Sequence, residues 1–219
     1  MRRRHFLTLT ASSVGGLLVY TMGRAPLRLV AQEKTVKIPL RFFTEEEALD
    51  VGAAAARIFP TDESGPGAKE AGVIIFIDRQ LAGPYGRDRH RYTQPPFGDA
   101  PPEFGYQGKA TPREIYREGL KTIAGLHRLN PEEQDRRLQQ IESTVFFGLL
   151  RTHAIQGMFS DPMHGGNADM VGWQLVGFPG PRMSYRQEVD QYYGRPFRPK
   201  PVSLRQVTGK PVRPSEEES

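Results

Sequence analysis

Residues 145–158 most limit what this chain can become. A helix is predicted to start at Asn130, with Pro131 at its first position and Glu133 behind it, and it carries one apolar stripe of Leu138, Ile141 and Val145 over a charged face. The same helix is predicted to run on to Phe159. After Val145 its apolar residues Phe146, Phe147, Leu149, Leu150, Ala154, Ile155 and Met158 go all the way round. A helix apolar on every side is buried on every side. It is therefore either the centre of a domain or a face completed by a second chain.

The other elements are read from local signals. Thr44 followed by Glu47 is a capping box, with acids at 45–47 suited to the positive helix end, and Leu49, Ala53, Ala56 and Ile58 then carry apolar spacing up to Pro60. A second helix is predicted over 73–81, placing Val73, Phe76, Ile77 and Leu81 on one face and leaving Ile74 and Ile75 for something else to cover. The β-branched run Val73-Ile74-Ile75-Phe76-Ile77 also fits a buried strand. Thr111 with Pro112 and Glu114 starts a third helix, and a short one is predicted near 185–193. Between these lie a Gly-, Pro- and aromatic-rich loop over 83–110, holding Tyr85, Tyr92, Phe97, Phe104 and Tyr106, and another over 160–183 with the single tryptophan. The expected fold is mainly α: one domain over 32–193 with about five helices and long ordered loops, the alternative being α+β. From Gly194 the chain is proline-rich and ends Glu-Glu-Glu-Ser, so residues 194–219 read as an extended or disordered tail.

The first 31 residues have a different character. Arg3-Arg4-His5-Phe6-Leu7 matches the Arg-Arg-x-Phe-Leu pattern, and a weakly apolar run over 8–22, diluted by Gly15 and Gly16, follows it. A charged start with a short apolar run is the anatomy of an export signal and is short for a membrane span. Paired arginines and low hydrophobicity select the twin-arginine route, which carries folded proteins. Residues 1–31 contain five arginines and no acid, so removing them from the net +5 leaves 25 basic and 25 acidic residues in 32–219. The basic balance belongs to the targeting segment and gives no ground for nucleic-acid binding.

The chain has no cysteine. Disulfides, thiolate-held iron–sulfur clusters and covalent c-type haem attachment are excluded, even in an oxidising compartment. Asp161, His164 and Asn167 lie close in sequence, with His153 two helical turns earlier, but without metal-ligand spacing. There is no Gly-x-Ser-x-Gly elbow and no Gly-x-Gly-x-x-Gly between strand and helix. One reading open to these residues is a free-standing periplasmic hydrolase using His153, His164 and Asp161. Gly165 and Gly166 fit a tight turn, or a close backbone approach to a ligand or another chain.

The stretch His164-Gly-Gly-Asn-Ala-Asp-Met-Val-Gly-Trp-Gln-Leu-Val-Gly-Phe-Pro-Gly180 resembles the signature of the gluconate 2-dehydrogenase subunit 3 family. So do Ile58-Phe59-Pro60-Thr61-Asp62, the run from Gly65 to Val73, the run from Phe76 to Gly86, and Tyr185 with Arg186. The resemblance covers roughly residues 42–193. It implies the small subunit of a membrane-associated flavin dehydrogenase complex acting on a sugar, sugar acid or polyol. In such a complex a large subunit carries FAD and a cytochrome subunit carries haem c. The small subunit supports maturation of the large one and its export through the twin-arginine translocase to the periplasmic face of the membrane. The family supplies no catalytic residue for this subunit, so no catalytic, cofactor or metal residue is assigned here. Apolar side chains and the family loop together mark Ile74, Ile75, Tyr85, Phe97, His164, Asn167, Trp173 and Phe178 as the expected partner interface, with Tyr85, Trp173 and Phe178 as anchors.

Overall fold

A computed structural model describes residues 17–22, 25–30, 39–89, 95, 97–98, 101–197 and 199–208. The export residues Arg3, Arg4, Phe6 and Leu7, the loop residue Tyr92 and the chain end from 209 lie outside them. Residues 1–39 form one compact unit, in which β1 (Leu17–Met22) pairs antiparallel with β2 (Ala25–Val30). Residues 40–219 form the second, and every described regular element in it is helical. The chain is mainly α. Among the described residues no helix is long and apolar enough to cross a membrane.

Five helices build the second unit: α1 (Glu45–Ile58), α2 (Val73–Ala82), α3 (Pro112–Ile123), α4 (Pro131–Gln140) and α5 (Val145–Phe159). Three short ones follow, α6 (Val171–Val176), α7 (Arg186–Tyr192) and α8 (Leu204–Thr208). The capping signals act as read. Thr44 and Glu47 form a reciprocal box at α1, Thr111 and Glu114 form another at α3 behind Pro112, and Asn130 caps α4. Each satisfies helix N–H groups that would otherwise lack partners.

Residues 73–82 are helix, and the strand alternative is overturned. Val73, Phe76, Ile77 and Leu81 are all buried on one face. The other side is covered from within the chain: a side chain at Gly165 would stand 3.1 Å from Ile75, so the 164–166 loop lies against it, while Ile74 packs on the core.

Two readings change. The predicted helix over 130–159 is two helices, because the chain turns at Ile141 and Thr144 caps a new start by accepting the N–H of Phe147. α5 buries Phe146, Leu150, His153, Ala154, Gly157 and Met158 but leaves Val145 and Ile155 exposed, so it is covered on one side within this chain rather than on all. On α1 the buried apolar residues are Val51, Ala54 and Ala55, while Leu49 is exposed. Small alanines at 53–56 leave the stripe undefined in sequence, and packing selects the face.

Two buried carboxylates hold non-local segments in place. Asp78 on α2 accepts the backbone N–H groups of Arg41, Phe42 and Phe43 at 2.9–3.1 Å, fixing the entry to α1. Asp50 on α1 accepts the N–H groups of Gly125 and His127 and contacts the His127 ring at 2.6 Å, fixing the turn after α3. Charge-assisted bonds of this kind offset the cost of burying the carboxylate.

Candidate functional site

A strongly perturbed ionisable group, His153, lies on α5. It is 1% exposed, its Nε2 lies 2.8 Å from the Tyr85 hydroxyl, and its Nδ1 lies 2.9 Å from the Tyr116 hydroxyl. The imidazole stacks on the Tyr116 ring and meets the Tyr85 ring edge-on. Burial pushes the imidazole down from 6.5 to about 4, and pushes both phenols up. At neutral pH the ring is uncharged, so one nitrogen donates to a tyrosine oxygen and the other accepts a tyrosine O–H. The turn that carries Tyr85 can pack on the end of α2 because residue 86 is glycine: a side chain there would stand 2.1 Å from the Leu81 carbonyl oxygen. The trio joins the 83–110 loop, α3 and α5.

The 160–180 loop is bound as tightly. A side chain at Gly166 would lie 2.2 Å from the Gly157 carbonyl oxygen, and one at Gly172 2.0 Å from that of Met158. The glycines therefore let this loop pack directly on the α5 backbone. Asn167 is 0% exposed; its amide donates to the Ser160 carbonyl and accepts the Gly172 N–H, both at 2.8 Å. Asn167, Asp169 and Met170 all take left-handed backbone angles, with φ of 48°, 53° and 59°. Trp173 is 4% exposed, donates to the Phe159 carbonyl at 2.7 Å and meets Phe178 edge-on.

This placement sorts the expected interface residues. Asn167 and Trp173 fill this chain's own interior, where their polar atoms and bulk are both used within the fold. Ile74 and Ile75 are half-buried. Tyr85, Phe97, His164 and Phe178 are exposed. The alternative catalytic set is not assembled: His153 is enclosed between two tyrosines, and the Asp161 carboxylate accepts the N–H groups of Met163 and Leu204. His164 stands at the surface. Among the described residues no three His, Asp or Glu side chains converge as metal ligands.

Sequence reading missed the structural carboxylates and the tyrosine pair around His153. A lone acid on the otherwise apolar face of α2 was the available signal for Asp78. No local signal exists for the His153 partners, which lie 68 and 37 residues away.

The family model described as gluconate 2-dehydrogenase subunit 3 matches residues 45–180, from the first residue of α1 to the end of the glycine-rich loop. Comparison with curated proteins and with solved structures found no match.

Proposed function

This chain belongs to the gluconate 2-dehydrogenase subunit 3 family, and from that premise we propose that it is the non-catalytic small subunit of a periplasmic, flavin-dependent dehydrogenase of gluconate, another sugar or a polyol. It supports folding and assembly of the FAD-binding large subunit and carries that subunit through the twin-arginine translocase. A c-type cytochrome subunit completes the complex and takes the electrons onward at the outer face of the cytoplasmic membrane.

The observation that carries this reading is the extent of the family match, which spans α1 to α6 and so the whole helical core. The absence of cysteine supports it, since thiolate-held redox centres must then sit on another chain. Folded export suits a flavoprotein, whose cofactor is bound before crossing, and the Arg3-Arg4 pair supplies the address. Tyr85, Phe97, His164 and Phe178 are the members of the family-region set left open to a partner.

The test is co-expression of this chain with the flavoprotein subunit of its complex, followed by cell fractionation. Replacing Arg3→Lys and Arg4→Lys together leaves both proteins in the cytoplasm. Flavoprotein reaching the periplasm despite the double substitution refutes the carrier role.

A further inference from the structure

Exposed apolar side chains are concentrated beyond the family-matched core. Of the seventeen large apolar residues that stand exposed among the described residues, eight lie in 181–208. They include Met183, wholly in solvent, and Tyr185, Val189 and Tyr193, which stand four residues apart at the start, within and at the end of α7. Soluble chains seldom leave such a concentration of apolar surface in water unless it is an interface.

The arm is nevertheless fixed to the core, and by its backbone. Val202 N–H donates to the Pro179 carbonyl at 3.1 Å, and Leu204 N–H donates to the Asp161 carboxylate at 2.7 Å. Gly180 permits the first contact, since a side chain there would stand 2.0 Å from the Val202 carbonyl oxygen. Arg182 pairs with Glu188 inside the arm, and Tyr192 packs on Phe197. The arm is thus tied to the core through Val202 and Leu204, while its apolar side chains stay uncovered. A hollow of about 720 Å³ remains between α6 and residues 197–201, floored by Trp173 and edged by Lys200.

Charge indicates what covers the arm. Residues 181–208 hold six basic and two acidic residues, whereas 32–219 as a whole is balanced. The family match stops at Gly180, immediately before the arm. We infer that residues 181–208 are the arm by which this subunit grips its own flavoprotein subunit, on a partner surface that offers apolar hollows ringed by carboxylates. The helical core matched by the family model makes the subunit type, and the arm, where the resemblance is carried by Tyr185 and Arg186, selects the partner. This inference rests on the small-subunit reading above.

The test uses the full chain co-expressed with its flavoprotein subunit, the tag being on the flavoprotein, and compares wild type with Met183→Ser, Val189→Ser and Tyr193→Ser combined. The triple variant lowers the co-purified small subunit by about tenfold or more, as loss of interface anchors does, and leaves the unfolding midpoint of this chain unchanged because the three side chains are exposed. Raising salt weakens the wild-type complex and so reproduces part of the effect. If wild type itself fails to co-purify, the small-subunit reading falls and takes the arm with it. If wild type and variant co-purify equally, the arm inference alone is overturned. It is also overturned if the variant keeps the flavoprotein but loses self-association, or loses binding to phosphatidylglycerol vesicles; the occupant is then a second copy or a membrane.

Discussion

Acidification should destabilise this protein through His153. In the folded chain the imidazole stays neutral down to about pH 4, whereas its ordinary value is 6.5. The unfolded chain therefore binds a proton that the folded chain refuses at every pH between these two values. Stability rises with pH wherever the unfolded state binds more protons, so the His153 contribution is complete above 6.5 and is lost as pH falls toward 4. Between about pH 7 and about pH 5 the loss comes to about 2 kcal/mol, at about 1.4 kcal/mol per pKa unit. The assay is urea unfolding at both values, for wild type and for His153→Gln, which keeps an amide donor and acceptor but cannot titrate. The pH-dependence of wild type should exceed that of the variant by this amount. Equal pH-dependence in the two proteins refutes a neutral imidazole locked between Tyr85 and Tyr116.

Two further substitutions test the packing. Trp173→Ala removes a buried indole and its bond to the Phe159 carbonyl, and should cost about 3–5 kcal/mol, lowering the thermal midpoint by about 10 °C; a midpoint unchanged in a folded variant returns Trp173 to the interface. Asp78→Ala leaves the N–H groups of Arg41, Phe42 and Phe43 without their acceptor and should cost about 3 kcal/mol or more in urea unfolding, with Asp78→Asn losing less. Equal effects of the two substitutions would show that the carboxylate's hydrogen bonds do not fix the entry to α1.

How far the fold was legible depended on the range of the interactions involved. The starts of α1, α3 and α4 were readable because each is set within four residues, by Thr44 with Glu47, Thr111 with Glu114, and Asn130. The face of α2 was readable once the segment is taken as helix, because Val73, Phe76, Ile77 and Leu81 then share one side, but the β-branched run left a strand open until packing decided it. The break at Ile141 was not readable, since Thr144 sits between two apolar stretches whose spacing continues across it. The buried face of α1 was hidden by alanines on several sides. At the candidate site, neither the enclosure of His153 by tyrosines from two other segments nor the inward turn of Asn167 could be read, because both depend on contacts between distant segments.

The glycine-rich loop shows why a family signature need not mark a binding residue. Gly166 and Gly172 bring the loop within reach of the Gly157 and Met158 carbonyls, and Gly157 itself lies against Val73 and Phe76 of α2. Asn167 ties the same loop to Ser160 and Gly172, and Ala168 N–H bonds the Ala71 carbonyl ahead of α2. Every one of these contacts is internal, so the signature residues specify how the loop closes over α2 and α5. Substituting them would change the shape of the core before it changed any contact with a partner. The pattern that identifies the subunit is thus a packing pattern. On the small-subunit reading proposed above, discrimination between one partner and another falls to side chains that the core leaves uncovered, and among the described residues 181–208 have the densest set of them.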